Sequence, residues 1–287
     1  MRDDDLRESS NIEDRRGIPG GAGGLSIAAV IVLTLIGWAT GINPATLIGG
    51  AEQLGLGQSA PQQATSQQAT PQQATPVNDA TRQFVARILG ETEDVWTAEL
   101  PRQAQRQYRN PTLVLFSGAT DSGCGSARAA MGPFYCPIDQ KLYLDAAFFD
   151  DMRARMGGGG EFAYAYVIAH EVGHHVQNLL GLLPKVQAAE EQNPDRANDL
   201  SVRTELMADC LAGVWANKMA ARHNNLTDAD IQQAVSTATA IGDDRLQKQA
   251  RGVAVPDSFT HGSSAQRVQW LTTGLRQGTV AGCNTFK

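Results

Sequence analysis

The sequence has few aromatic residues and no excess of basic charge. Aromatic residues make up 6% of its 287 residues, and 30 acidic residues outnumber 24 lysines and arginines, which gives a formal net charge of −6. Proteins that bind nucleic acid usually concentrate basic charge on one face. The composition therefore argues against a nucleic-acid partner.

Charged residues are missing altogether from residues 25–42, "LSIAAVIVLTLIGWATGI". About 20 apolar residues are enough to cross a bilayer as a helix, so this run predicts one transmembrane anchor. A cleaved signal peptide is the alternative. It is disfavoured because the preceding region is long and acidic, and because no clear cleavage site of the A-x-A kind follows the run.

Lysine and arginine are also missing between this run and Arg82, whereas Arg2, Arg7, Arg15 and Arg16 precede it. Basic residues flanking a span tend to stay in the cytoplasm. The bias predicts a single-pass membrane protein with a cytoplasmic N-terminal segment, residues 1–24. Everything downstream would then be exported, to the periplasm or the cell exterior.

Residues 43–78 have almost no charge and contain a five-residue repeat, "PQQATSQQATPQQATP", from Pro61 to Pro76. Such a segment buries too little apolar surface to offset its conformational entropy, so it predicts a flexible Gln/Ala/Thr/Pro linker. Residues 79–287 then form the globular domain. Cleavage in the linker would release that domain as a soluble secreted enzyme, which is a further alternative.

The four cysteines, Cys124, Cys136, Cys210 and Cys283, include no C-x-x-C pair, which argues against a zinc ribbon. An even number of cysteines in an exported domain predicts two disulfides, for which three pairings are possible. We favour Cys124–Cys136, which closes a short loop. The second pair, Cys210–Cys283, would tie the C-terminal tail to a helix.

Histidine is scarce as well, yet three of the five histidines lie in "YAYVIAHEVGHHVQNLLG", residues 164–181. On a helix, His170 and His174 project from one face, because they are four residues apart. With Glu171 between them they form H-E-x-x-H, in which two imidazoles bind zinc and the glutamate acts as general base. A helix with surface histidines is the plainer alternative, and the apolar neighbours argue against it.

Two other features narrow the kind of zinc site. His175 lies about 100° around the helix from His174 and is expected to pack or to support a ligand rather than to bind the metal. A metzincin would need glycine and histidine where the chain has Gln177 and Leu180. The third ligand must therefore come from elsewhere.

A second apolar helix is predicted in "RTELMADCLAGVWANKMA", residues 203–220. Glu205 and Asp209 lie one turn apart on it, among large apolar residues. Carboxylates in such surroundings usually have partners. We expect Glu205 to be the third zinc ligand and Asp209 to accept the outer N–H of a zinc-binding histidine. A solvated acidic stripe is the alternative.

At these motifs the sequence resembles the gluzincins, and more closely the neutral zinc metallopeptidases of the YpfJ type. The resemblance covers nearly the whole chain except the linker. It includes "LRESSNIEDRRG", "MGPFYCPIDQKLYLD", "HEVGHHVQNLLG", "ELMADCLAGVW", "IGDDRLQ", "DSFTHGSSAQR" and "CNTF". It implies that His170, His174 and Glu205 hold one zinc ion per chain, that Glu171 is the base, and that Asp209 orients His170.

Several residues outside these helices have weaker signals. Residues 132–145 alternate around Asp139–Gln140 and predict a hairpin, whose edge strand could bind an extended peptide. His261, in a polar turn, is a candidate for stabilising the oxyanion, although a structural role is equally compatible, and Arg267 is a weaker candidate. His223 is expected to be exposed, and Asp243–Asp244 to be a charge pair at a helix end.

The sequence thus predicts an α+β protein: a mostly helical, zincin-like (gluzincin-type) catalytic domain with a small antiparallel sheet, preceded by one transmembrane helix. The predicted function is hydrolysis of peptide bonds in peptides or unfolded proteins by a zinc-activated water, with Glu171 as general base. The alternative is a catalytically weak zinc-binding scaffold or interaction module of the cell envelope.

Overall fold

The computed structural model describes residues 1–16, 80–156 and 160–287. The predicted membrane anchor, residues 25–42, and the predicted linker, residues 43–78, lie outside the described residues. Within the described ranges, no helix has the length and apolarity that a membrane crossing requires.

Most of the described domain is helical, and its first helix begins one residue after the predicted domain start at Asp79. The helices are α1 (Ala80–Ala104), α2 (Phe148–Met156), α3 (Glu161–Leu179), α4 (Leu183–Gln192), α5 (Ala197–His223), α6 (Asp228–Ala240), α7 (Asp243–Arg251) and α8 (Ser264–Gln277). The two helices that the zinc motifs predicted are α3 and α5.

In the part of the chain that the structure describes, the strands form two small sheets. The strands are β1 (Ile12–Asp14), β2 (Thr112–Phe116), β3 (Ala119–Ser122), β4 (Gly125–Arg128), β5 (Phe134–Cys136) and β6 (Lys141–Asp145). The larger sheet has the order β1-β2-β6-β5, and β3 pairs with β4 in the smaller one.

The larger sheet is mixed, so the prediction of a small antiparallel sheet was wrong for it. β1 runs parallel to β2, and β2 runs parallel to β6, whereas β5 is antiparallel to β6. The chain between β2 and β6 includes the β3–β4 hairpin and β5, which gives it the length to return and enter β6 in the direction of β2. Antiparallel pairing is confirmed for β3 with β4 and for β5 with β6.

The hairpin predicted around Asp139–Gln140 is confirmed. Phe134 lies opposite Tyr143, and Cys136 lies opposite Lys141. Gln140 adopts a positive φ of 58°, which reverses the chain between the strands. The hairpin places β5 at one end of the sheet, where it has a partner strand on one side.

The core lies where α3 packs against α1, α5 and α6. At the crossing with α5, Gly173 lies so close to Ala208 that an added Cβ would be 3.0 Å from the carbonyl oxygen of Ala208. Glycine at this position allows the two backbones to approach. The same crossing brings the histidines of α3 beside the acids of α5.

Both favoured disulfides are confirmed. Cys124 is bonded to Cys136, and Cys210 is bonded to Cys283. The second bond ties the C-terminal residues to α5, one residue after Asp209. It therefore anchors the tail beside the helix that carries the predicted acidic ligand.

Residues 1–16, here called the N-terminal arm, pack against the globular domain. They contribute β1 to the larger sheet, and Leu6 is buried in the main hydrophobic core. The sequence prediction treated residues 1–24 as a segment separate from the domain, because long-range pairing of a three-residue strand has no local signature in the sequence.

Candidate active site

Helix α3 carries the H-E-x-x-H motif through the interior of the domain. It begins at Glu161, whose negative charge suits the first turn of a helix, and it ends at Leu179. Gly181 follows with a φ of 73°, as expected for a helix stop. Both His170 and Glu171 are buried, although they line a cleft that opens to the surface.

The three predicted metal ligands converge at this cleft. Nε2 of His170 is 3.1 Å from Oε2 of Glu205, and Nε2 of His174 is 3.4 Å from Oε1 of the same carboxylate. One ligand atom from each residue lies within 4.8 Å of the other two. Two imidazole nitrogens and one carboxylate oxygen thus surround a single point.

Asp209 fixes the orientation of the first histidine. Its Oδ1 lies 2.9 Å from Nδ1 of His170. Burial raises the pKa of Asp209, but Arg267 and His170 outweigh this effect and lower the pKa to about 2. Because the ionised carboxylate can only accept, Nδ1 of His170 is the donor, and Nε2 is left to face Glu205.

Gln177 fixes the orientation of the second histidine, His174. The sequence analysis did not predict this role. Its side-chain nitrogen donates to the carbonyl oxygen of Thr204 at 2.7 Å. Its side-chain oxygen must therefore be the atom 2.9 Å from Nδ1 of His174, which donates to it. The i, i+3 spacing of His174 and Gln177 on one helix was the signal that could have revealed this contact.

Glu171 differs from the other acids at the site because its carboxylate accepts no hydrogen bond from the part of the chain that the structure describes. Burial raises its pKa, while the neighbouring His170 and His174 lower it. The net shift is upward, which brings the group closer to the range of a general base. Glu171 lines the same cleft as the three ligands.

Arg267 also lines the cleft, but its guanidinium is directed at Asp209. It is 3% exposed, and its Nε and one terminal nitrogen each donate to the Asp209 carboxylate at 2.9 Å. The hydroxyl of Tyr166 also donates to Asp209, at 2.6 Å. The sequence made Arg267 a weaker candidate for stabilising the oxyanion. In the structure its guanidinium instead forms an ion pair with the Asp209 carboxylate.

His261 lines the same cleft, on the loop before α8. Its side chain is 53% exposed, and its Nδ1 is 3.5 Å from Oδ1 of Asp243. The hydrogen bond with Asp243 raises the pKa of His261. The backbone N–H groups of Thr260, His261 and Gly262 all donate to Oδ2 of Asp243, so this acid shapes the loop.

Two histidines lie away from the ligands. His175 is buried, with Nε2 2.6 Å from the carbonyl oxygen of Arg109 and Nδ1 3.0 Å from the hydroxyl of Tyr135 on β5. It therefore links α3 to the edge strand, in agreement with the expected supporting role. His223 is the last residue of α5 and is 3.0 Å from Glu91, so it has a partner although it lies at the surface.

The cleft has a volume of about 530 Å³. Its floor is the ligand cluster with Glu171, and β5 lies along one side. Most other lining side chains are apolar, and they include Met131, Pro133, Phe134, Phe148, Met152, Leu183, Ile241 and Leu246. The shape leaves room for an extended chain beside the ligands.

The donor set fits zinc. Two imidazoles and one carboxylate, with a fourth position facing a cleft, match the ligands of catalytic zinc sites. The local charge fits as well, because among the described residues at the site three carboxylates, those of Glu205, Glu171 and Asp209, accompany the guanidinium of Arg267. Burial raises the pKa of Glu205, but His174 and His170 outweigh this effect and hold the pKa well below its usual range, so the carboxylate is available as an anionic ligand.

Comparisons with known proteins agree with this site. The model of the family described as "Putative neutral zinc metallopeptidase" matches residues 1–286. "Uncharacterized protein YpfJ" of Escherichia coli K12 is 42% identical over 100% of this chain and 99% of its own length. "Uncharacterized protein Rv2575" of Mycobacterium tuberculosis H37Rv is 44% identical over 72% of each chain.

No solved structure matches the chain significantly. The residues of this chain that both comparisons match include the H-E-x-x-H helix, the helix with Glu205 and Asp209, and the N-terminal arm. The chain therefore belongs to the neutral zinc metallopeptidase family.

Proposed function

We propose that this protein is a zinc-dependent endopeptidase that hydrolyses peptide bonds in unfolded proteins or peptides. The observation that carries the proposal is the convergence of His170, His174 and Glu205 in a cleft that also contains the free carboxylate of Glu171. A purely structural zinc site is normally closed by four protein ligands. Among the described residues this site has three ligands, and it opens toward a cleft.

His170, His174 and Glu205 would hold the ion. Zinc, when bound, supplies a Lewis acid that polarises a carbonyl and makes water more acidic. Glu171 takes the proton from the attacking water and later delivers it to the leaving amine. Asp209 and Gln177 would keep both imidazoles in the tautomer that leaves Nε2 available as a ligand atom.

The substrate proposal rests on β5 and on the apolar cleft wall. β5 is an outer strand of the larger sheet, and Phe134 and Tyr135 line the cleft. An extended peptide adding to such a strand gains main-chain hydrogen bonds, which tolerate many sequences. The apolar wall favours substrates with apolar side chains next to the scissile bond, as unfolded proteins have.

His261 is proposed to assist, because it is the half-exposed cation-forming side chain on the wall of the cleft. A protonated imidazole there would stabilise negative charge that develops on the substrate oxygen. Attachment to a membrane through residues 25–42 also belongs to the proposal. It is tested by asking whether the full chain stays in the membrane fraction after an alkaline wash.

The test of the proposal uses the purified full chain, with zinc content and cleavage of a reduced, alkylated protein measured on the same samples. Glu171→Gln is expected to retain one zinc ion per chain and to lose cleavage by about 10²–10⁴-fold. Glu161→Gln, on the same helix, is the matched control and should cleave normally. A chelator should abolish cleavage in the wild type and the control.

The opposite result would favour the scaffold function. If the wild-type chain binds one zinc ion but cleaves no unfolded protein, or if Glu171→Gln cleaves as well as the wild type, the endopeptidase proposal is wrong. An envelope scaffold that binds zinc would then explain the ligand cluster.

A further inference from the structure

The N-terminal arm is built into the domain by main-chain hydrogen bonds. β1 pairs with β2 in a parallel register that places Ile12 opposite Leu113. The N–H of Leu113 donates to the carbonyl oxygen of Asn11 at 2.8 Å. The N–H of Arg15 donates to the carbonyl oxygen of Leu115 at 2.7 Å. The arm thus occupies the edge of β2 that would otherwise be open to other strands.

The N-terminal arm explains why residue 90, in the interior of α1, is a glycine. Glycine there destabilises a helix relative to alanine. A Cβ at Gly90 would overlap the carbonyl oxygen of Arg7 and would lie 3.1 Å from the backbone nitrogen of Ser9. The N–H of Ser9 donates to the carbonyl oxygen of Ala86, on the preceding turn of α1, at 2.9 Å. Helix α1 is therefore shaped to receive this segment.

The carboxylate of Glu93, one turn further along α1, receives its hydrogen bonds from the arm. It is 2% exposed. Its carboxylate accepts hydrogen bonds from Arg7 at 2.8 Å, from Ser9 Oγ at 2.6 Å and from Asn11 Nδ2 at 2.7 Å. Within the described residues these donors all come from the arm. A buried carboxylate that lost them would lack compensation for its charge.

Three of the four arginines that produced the predicted membrane orientation have acidic partners in the folded structure, either in the globular domain or within the arm. Arg7 pairs with Glu93 and Asp94. Arg15 pairs with Glu13 and donates to the carbonyl oxygen of Asp121, and Arg16 pairs with Asp14. Their positive charge therefore has a role in the folded domain that does not require a cytoplasmic location.

We infer that the N-terminal arm and residues 80–287 are one folded unit and lie on the same side of any membrane to which the chain attaches. Residues 25–42 lie between the two parts, and a single crossing would put the parts on opposite sides. This inference is incompatible with the single-pass orientation predicted from the charge bias. It does not depend on the proposed peptidase activity.

The side of the membrane can be tested with the full chain in intact cells. Ser10→Cys places a thiol on an exposed position of the arm, and Ala188→Cys places one on an exposed position of α4. The four native cysteines are in disulfides and do not compete for the reagent. Each variant is treated with a membrane-impermeant maleimide before and after the cells are opened.

Both cysteines are expected to behave alike. Either both react in intact cells, or both react only after the cells are opened. It is overturned if one position reacts fully in intact cells and the other reacts only after the membrane is broken.

Docking of the arm is tested separately by hydrogen exchange on the purified full chain. The amides of Ser9, Arg15 and Leu113 should be protected, and Arg7→Ala should reduce their protection at least tenfold. Arg2→Ala is the matched control, because Arg2 is exposed and its side chain has no recorded partner in the described ranges.

Gly90→Ala should have the same effect as Arg7→Ala through steric overlap. If that variant fails to fold, Arg7→Ala still decides the question. Exchange of the arm amides at the rate of an unfolded peptide in the wild-type chain would overturn the inference.

Discussion

The guanidinium of Arg267 makes two hydrogen bonds to the carboxylate of Asp209, and Oδ1 of that carboxylate also accepts a hydrogen bond from Nδ1 of His170. Hydrogen bonds thus connect the three buried side chains in the order Arg267, Asp209 and His170, and the last of them is a proposed zinc ligand. Arg267 is therefore a positioning residue for His170, although 58 residues separate it from Asp209 along the sequence.

Arg267→Met should weaken zinc binding about 10–100-fold, because the orientation of His170 would no longer be fixed. It should also lower the free energy of unfolding by about 3–5 kcal/mol, since a buried carboxylate loses its cation. Zinc affinity is measured by competition with a chromogenic chelator. Arg276→Met, an exposed position on α8, is the control. Unchanged zinc affinity in Arg267→Met would contradict the positioning role.

Gln177→Ala should weaken zinc binding by a smaller factor, on the order of tenfold, because His174 would lose the acceptor of its Nδ1 proton. Gln187→Ala, an exposed glutamine on α4, should leave zinc binding unchanged. The measurement is the zinc dissociation constant at fixed pH, with circular dichroism to show that both variants fold. Equal affinities in the two variants would show that Gln177 does not orient the ligand.

The two disulfides should differ in their contribution to stability. Cys210–Cys283 joins residues 73 apart, whereas Cys124–Cys136 joins residues 12 apart. Closing a longer loop removes more entropy from the unfolded chain. Cys283→Ser should therefore lower the free energy of unfolding by about 4 kcal/mol and Cys124→Ser by about 3 kcal/mol. Denaturant titration checks the order, and a larger loss in Cys124→Ser would contradict it.

The N-terminal arm should undock in acid. Hydrogen bonds from Arg15 and Lys141 lower the pKa of Glu13 from 4.5 to about 2. The stabilisation by this carboxylate is therefore fully present above pH 4.5 and is lost as the pH falls toward 2. Fluorescence anisotropy of a dye on Ser10→Cys should fall over that range. Glu13→Gln should show a weaker pH dependence, and identical curves would contradict the assignment.

The side chains of the candidate site whose proximity the sequence anticipated are those with local spacing rules. His170, Glu171 and His174 follow from helical periodicity, and so does the pairing of Glu205 with Asp209. The β5–β6 hairpin also has a local signal at Asp139–Gln140. Such features are encoded within one element and need no knowledge of the tertiary fold.

The parts that the sequence did not predict depend on distant contacts. The parallel pairing of β1 with β2 brings residue 12 against residue 113, and no local pattern marks it. The role of Arg267 depends on a partner on another helix. Asp243 was interpreted as a helix-end charge, which agrees with its place in the first turn of α7, but its contacts with residues 260–262 were not foreseen.

X-ray absorption at the zinc edge, measured on the full chain, decides whether His170, His174 and Glu205 hold one zinc ion. We expect two imidazole nitrogens at about 2.0–2.1 Å and oxygen ligands at about 2.0–2.2 Å, without sulfur. His174→Ala should lose one imidazole contribution or the ion itself. A sulfur shell at about 2.3 Å, or a spectrum that His174→Ala leaves unchanged, would contradict the assignment.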